Sequence, residues 1–222
     1  LEAQWRQVSS SAIAASPYRA SASDIGLRSL RHLALDYLLA AQAEDLEIAE
    51  HLLHSADNLT DRLAALRWIA QYAEAARREQ ALTTFYDRWQ RESLIVNQWF
   101  TVQATRPDTS CVESVRELLQ HGAFDWRNPN KLRALVGAFS GANPVAFHRA
   151  DGAGYQLLGD VIARIQASNP QIAARMLAPL TRWRRYAVGQ ELMRAELERI
   201  AAIDPLPKDV FEVVSRSLAA PD

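Results

Sequence analysis

The sequence predicts an all-α fold, an irregular α-superhelix built as an ARM/HEAT-like stack of antiparallel helix pairs, and three observations carry that prediction. Between Gly26 and Pro107 there is neither a glycine nor a proline, so the two residues that most readily end a helix are missing from a long run. Apolar residues recur at helical spacing: Leu82, Phe85, Tyr86 and Trp89 stand at i, i+3, i+4 and i+7, Leu132, Leu135, Val136 and Phe139 repeat the pattern, and Tyr155, Leu158, Ile162 and Ile165 form a third stripe. Three pairs, Asn128-Pro129, Asn143-Pro144 and Asn169-Pro170, each put a capping acceptor before a residue with a preset φ and no N–H to leave orphaned. No sustained period-2 run of β-branched residues argues for a strand.

Taken in order, the first 20 residues are rich in Ser and Ala and read as a weak helix or a loose arm. Helices are then expected near 24–41, 43–55, 60–76, 78–90, 93–105, 111–120, 129–139, 144–147, 151–167, 170–179, 181–202 and 207–219, with ends good to about 2–4 residues. Ser110 with Glu113 reads as a capping box. A break is expected near Gly189, and Asp204-Pro205-Leu206-Pro207 separates the last two helices. Short connections pack consecutive helices antiparallel. No fixed repeat period is present, so an irregular stack is expected rather than a tetratricopeptide or ankyrin array.

Composition narrows the function classes. The 222 residues are 49% hydrophobic and 23% charged, with 25 Lys and Arg against 26 Asp and Glu. That suits a folded chain with a sizeable core, and it supplies no long-range field for nucleic acid or an anionic membrane. Cys111 is the single cysteine, which excludes an intrachain disulfide and points to a reducing compartment, the cytoplasm. No run approaches the ~18 apolar residues of a membrane span, and no signal-peptide pattern is visible. The chain opens at Leu1-Glu2 rather than Met, which suggests a piece of a longer polypeptide.

A search for catalytic chemistry assigns no catalytic residue and no metal ligand. His51 and His54 flank two leucines in Glu50-His51-Leu52-Leu53-His54, which is not H-E-x-x-H, and they read as a helix end. Cys111 lies at an expected helix start, where a thiol can be activated, but no partner His is evident, so it reads as structural. Gly137-Ala138-Phe139-Ser140-Gly141 has its serine in the wrong place for a nucleophile elbow and reads as a helix end at Gly141. Asp151-Gly152-Ala153-Gly154-Tyr155 reads as a turn into a helix, not a phosphate cradle. Arg182-Trp183-Arg184-Arg185-Tyr186 reads as a solvated face with a buried Trp. His32, His121 and His148 read as structural, and Trp68, Trp89, Trp99, Trp126 and Trp183 as core or helix–helix contacts.

Several segments in one order carry a more specific signal: Asn128-Pro129-Asn130-Lys131-Leu132-Arg133, Val136-Gly137-Ala138-Phe139, Asn143-Pro144, Phe147-His148, Asp151-Gly152-Ala153-Gly154-Tyr155, Asn169-Pro170-Gln171, Arg175, Pro179-Leu180, Arg185-Tyr186 and Met193-Arg194. Together they resemble the C-terminal helical domain of bacterial aminopeptidases of the aminopeptidase N type, in the M1 family of zinc metallopeptidases. Weaker similarity reaches back through Trp99-Phe100 and Gln103-Ala104-Thr105 toward residue 25.

The resemblance implies a parent enzyme that removes N-terminal amino acids from peptides. Its zinc is held by H-E-x-x-H and a distant Glu, with a G-A-M-E-N motif nearby. The chain contains neither motif, so no cofactor is expected in this fragment and zinc is expected in the parent. On this reading residues 1–20 are a weakly structured or partial N-terminal segment and 21–222 the C-terminal helical domain, with earlier helices of the superhelix outside the chain. The implied partners are the N-terminal catalytic domains of the same polypeptide and peptide substrates, with no nucleic acid and no membrane. The family's helical domain caps the catalytic cleft, and motif matching puts Arg133, Gln171 and Arg175 toward substrate. Arg133 and Arg175 would steer the peptide beyond the scissile bond, and Gln171 would border the first side-chain pocket. The alternatives are ordinary salt bridges or caps for those three residues and, for the whole chain, a free-standing α-solenoid scaffold that binds a partner protein.

Overall fold

The computed structural model describes residues 1–14, 17–41 and 46–219. Among them every regular element is helical, as expected. The chain divides into two compact units, Leu1–Trp89 and Gln90–Asp222.

The first unit contains α1 (Glu2–Ser11), α2 (Ala22–Ala41), α3 (Leu46–Ser55), α4 (Leu59–Tyr72) and α5 (Ala75–Trp89). Of the two forms expected at the N-terminus, Glu2–Ser11 adopts the helix; it packs on α2, with Trp5 stacked on Tyr37 at 4.7 Å. The expected start of α3 at residue 43 lies outside the described residues. A capping box that the sequence reading missed opens α2: Ser21 donates to the buried Asp24 carboxylate at 2.6 Å, and the Asp24 N–H donates back to Ser21 Oγ at 3.1 Å. Asn58 caps α4 by accepting from the Asp61 N–H at 2.9 Å. The Asp61 carboxylate meets His32 Nε2 at 2.7 Å, which provides the partner that no sequence spacing revealed. Trp68 is buried, and its indole N–H donates to Asp36, so the polar edge of a large core ring is satisfied.

The second unit opens with α6 (Ser93–Ala104) and α7 (Cys111–Leu118). It continues through α8 (Pro129–Leu132), a π-helical segment (Arg133–Gly137), α9 (Ala138–Ala142) and α10 (Pro144–Phe147). Then follow α11 (Ala153–Ile165), α12 (Pro170–Met176), a 3₁₀ segment (Leu180–Arg185), α13 (Gln190–Ala201) and α14 (Lys208–Leu218). Its core includes Phe100, Leu132, Leu135, Val136, Phe139, Phe147, Tyr155, Leu158 and Ile162, all almost fully buried. All three predicted apolar stripes point inward, including Leu82 and Phe85 in the first unit, apart from Tyr86 and Trp89, which are half-buried.

All three Asn-Pro pairs cap helices. Asn128, Asn143 and Asn169 accept from the N–H groups of Asn130, Ala146 and Ile172. The expected capping box at Ser110 does not form. Ser110 already has helical φ and ψ and makes no side-chain cap. Its hydroxyl is drawn to Asp108 and Arg106, while Glu113 is taken by Arg149 at 2.9 and 3.1 Å. A charge-assisted pair competes successfully with a cap. The expected helix 181–202 is broken, as anticipated, with Gly189 at φ 84° on the N-terminal side of α13. The expected continuous helix 129–139 instead contains the π segment.

Candidate functional site

Thr101 of α6 lies against the π segment Arg133–Gly137. Its hydroxyl, which also lies 3.1 Å from the Asn97 carbonyl, is 3.0 Å from the Ala134 carbonyl and so offers that oxygen a donor from outside the helix. Such a widened turn redirects the side chains around it. Arg133, Gly137 and Ser140 come to line one wall of a cleft of about 250 Å³, and Ile172, Arg175, Met176 and Pro179 line the other. Arg133 is exposed and donates from Nη1 to Asn130 Oδ1 at 2.9 Å. Arg175 is exposed and has no hydrogen-bonded or ionic partner among the described residues. The two arginines singled out from sequence therefore share one cleft. Gln171 lies in the first turn of α12, exposed, and does not line it.

A second cleft, of about 340 Å³, begins where the first ends and shares Ser140 and Pro179 with it. His148, Tyr186, Phe147, Pro144 and Arg182 contribute to its walls. His148 stacks on Tyr186 at 4.3 Å, and its Nδ1 lies 3.0 Å from the Tyr155 hydroxyl. Desolvation holds the His148 imidazole below its ordinary value of 6.5, so it is neutral at pH 7. Among the described residues no carboxylate lines either cleft. The sequence reading assigned His148 and the Arg182–Tyr186 run no part in a site. Both touch segments that carry the family resemblance, which was the available signal.

The remaining sequence candidates take structural places. His51 and His54 are exposed and line a separate cleft of about 460 Å³ in the first unit, where Arg77 pairs with Glu50 at 2.6 Å. Among the described residues no group of three or more His, Cys, Asp or Glu side chains is placed to hold a metal ion. Among the described residues no helix is long and apolar enough to cross a membrane. Cys111 is fully buried, its Sγ lies 3.2 and 3.4 Å from the Gln103 and Ala104 carbonyls, and burial pushes its thiol up to about 11. Gly152, at φ 75°, makes the expected turn into α11. Trp183 is buried and donates to the Ser217 carbonyl, with Arg184 stacked over it at 4.2 Å.

Residues 1–219 match the family described as "Domain of unknown function (DUF3458_C) ARM repeats". The chain belongs to this family. It is 41% identical over 202 residues to aminopeptidase N of Haemophilus influenzae, covering 90% of this chain and 23% of that protein. It is 39% identical over 206 residues to aminopeptidase N of Escherichia coli, covering 92% and 24%. The crystal structure of Legionella pneumophila aminopeptidase A in complex with aspartic acid superposes with a TM-score of 0.88 at 29% identity, over 98% of this chain and 26% of that one. The chain thus spans about a quarter of the length of these relatives and corresponds to a C-terminal part of aminopeptidase N. ARM repeats are helical superhelices, so the predicted fold class and the resemblance both hold.

Proposed function

We propose that this chain is the helical domain that caps the catalytic cleft of a zinc aminopeptidase and positions the peptide whose N-terminal residue is removed. The observation that carries the proposal is the meeting of Arg133 and Arg175 in one cleft without a carboxylate. Peptide carbonyls accept hydrogen bonds, and guanidinium groups are directional, charge-assisted donors. Among the described residues nothing takes up the donors of Arg175, and Arg133 is held by Asn130 through one of its nitrogens. Gly137 and Ser140 keep one wall free of large side chains, and Ile172, Met176 and Pro179 make the other wall apolar for peptide side chains. Gln171, at the opening turn of α12, is assigned the rim nearest the first side-chain pocket.

The relatives named aminopeptidase N support the parent activity. The chain has no H-E-x-x-H, and its described side chains do not fit a zinc ion. The zinc and the water it activates are therefore assigned to catalytic domains of the same polypeptide outside this chain. No nucleic acid or membrane enters the proposal, and a single buried cysteine is compatible with the reducing cytoplasm as its location.

The test uses the full-length polypeptide that carries these residues. Arg133→Ala and Arg175→Ala are each expected to lower kcat/KM for tripeptides and longer peptides by about tenfold, with a smaller effect on an amino-acyl arylamide that has no peptide beyond the scissile bond. Equal kinetics of the double variant and wild type on every peptide would remove the positioning role.

A further inference from the structure

We infer that the second cleft is a subsite for the free carboxylate at the C-terminal end of a bound peptide, with Arg182 as the cation that receives it. The inference rests on the reading of the first cleft as a peptide-positioning site and extends that site past Pro179.

Continuity is the first support. The two clefts share Ser140 and Pro179, so a chain lying along Arg133 and Arg175 runs directly into the second. The charge pattern is the second. Arg133, Arg175 and Arg182 are spread along the joined clefts, no Asp or Glu lines them, and Arg182 has no hydrogen-bonded or ionic partner among the described residues. Its neighbour Arg184 is occupied instead, donating to the Ser217 and Ala219 carbonyls. A cation left free in a cleft, next to one tied down, marks the position where an outside anion is received. Wall chemistry is the third. The His148–Tyr186 stack, Phe147 and Pro144 form an apolar, aromatic side beside that cation. The end of a peptide carries both features that such a wall and cation would take, a last side chain and a full negative charge. Internal carbonyls carry no net charge, so Arg182 discriminates an end from a middle.

The experiment compares alanine peptides of increasing length, each as free acid and as C-terminal amide, in the full-length polypeptide. In wild type, the acid-to-amide ratio of kcat/KM is expected to rise by about five- to tenfold at the length that first reaches the second cleft. Arg182→Gln is expected to flatten that ratio to near one, and Arg182→Lys to restore part of it. A ratio that stays flat in wild type at all lengths, or one that persists in Arg182→Gln, overturns the inference. The Arg133→Ala/Arg175→Ala variant separates this outcome from failure of the underlying reading. If that variant lowers kcat/KM for acids and amides alike while Arg182→Gln leaves the ratio intact, the positioning site stands and the carboxylate subsite falls. If neither variant changes any peptide, both fall.

Discussion

Asn143 donates from its side-chain amide to the carbonyl of Ala104, 39 residues earlier, at 3.0 Å. The same nitrogen donates to the Arg106 carbonyl at 2.6 Å, and Oδ1 accepts from the Ala146 N–H at 3.1 Å. One buried side chain therefore closes the end of α6, the loop after it and the start of α10. Asn143→Ala leaves one buried carbonyl, one part-buried carbonyl and a buried N–H without this partner. The expected cost is ~2–4 kcal/mol, read as a lower urea midpoint. Asn143→Asp keeps the capping acceptor but turns a carboxylate toward two carbonyls. It is expected to be no milder than Ala at neutral pH, and a near-wild-type midpoint for Asp would refute the donor role.

Gly154 and Gly141 give opposite expectations for the same substitution. A Cβ at Gly154 would stand 2.7 Å from the Phe147 Cα and closer still to its carbonyl oxygen, whereas a Cβ at Gly141 meets nothing within 4 Å. Backbone cannot step aside as a flexible side chain does, so Gly154→Ala is expected to destabilise by more than ~2 kcal/mol. Gly141→Ala lies in α9 at negative φ and is expected to be neutral or stabilising by ~0.5 kcal/mol. Thermal melts of the two variants side by side check the pair, and similar shifts for both would contradict it.

These residues also mark what sequence could and could not disclose. Asn143 was legible as a cap because Asn-Pro acts locally, but its two long-range donations were not, since nothing near position 143 points to Ala104. The helices and apolar stripes were legible because their period repeats over many residues. The capping box at Ser110 was misread because the competitor for Glu113 is Arg149, which lies far along the chain. The box at Ser21 and Asp24 was readable from its spacing and was missed. Arg133 and Arg175 were singled out only through family resemblance. Their shared cleft lies beside a π turn that Thr101 contacts, a tertiary arrangement with no periodic trace in the sequence. Arg182 lay inside a run whose mixed charge and aromatic content suggested a plain surface, and only the fold shows which of its arginines is tied down.

Cys111 tests burial directly. Its thiol is pushed up to about 11, first by desolvation, and the side chain is fully buried. At pH 8 the thiolate fraction is then about one in a thousand. The folded protein is expected to resist a disulfide exchange reagent such as Ellman's reagent for as long as it stays folded, and to react within seconds in denaturant. Prompt reaction of one thiol equivalent under native conditions would contradict this placement.

The pH dependence of stability follows from two imidazoles in the second unit. His121 is held below its ordinary value of 6.5 first by desolvation and then by the charge of Lys131, and His148 by desolvation. Both shifts disfavour the charged form in the folded state. As the pH falls below ~6.5, the unfolded chain takes up these protons first. The stability contributed by the neutral rings is thus complete above that value and is lost as the pH drops toward the folded-state midpoints. His121 rests against Trp99 and Phe100 at 5.2 and 6.0 Å, and His148 against Tyr186, so a charge on either ring has a poor solvent. Urea midpoints are expected to decline between neutral pH and about pH 5, with the His121 and His148 proton resonances titrating below 6.5. Midpoints for these two rings at or above 6.5, or a flat urea response across that window, would rule the account out.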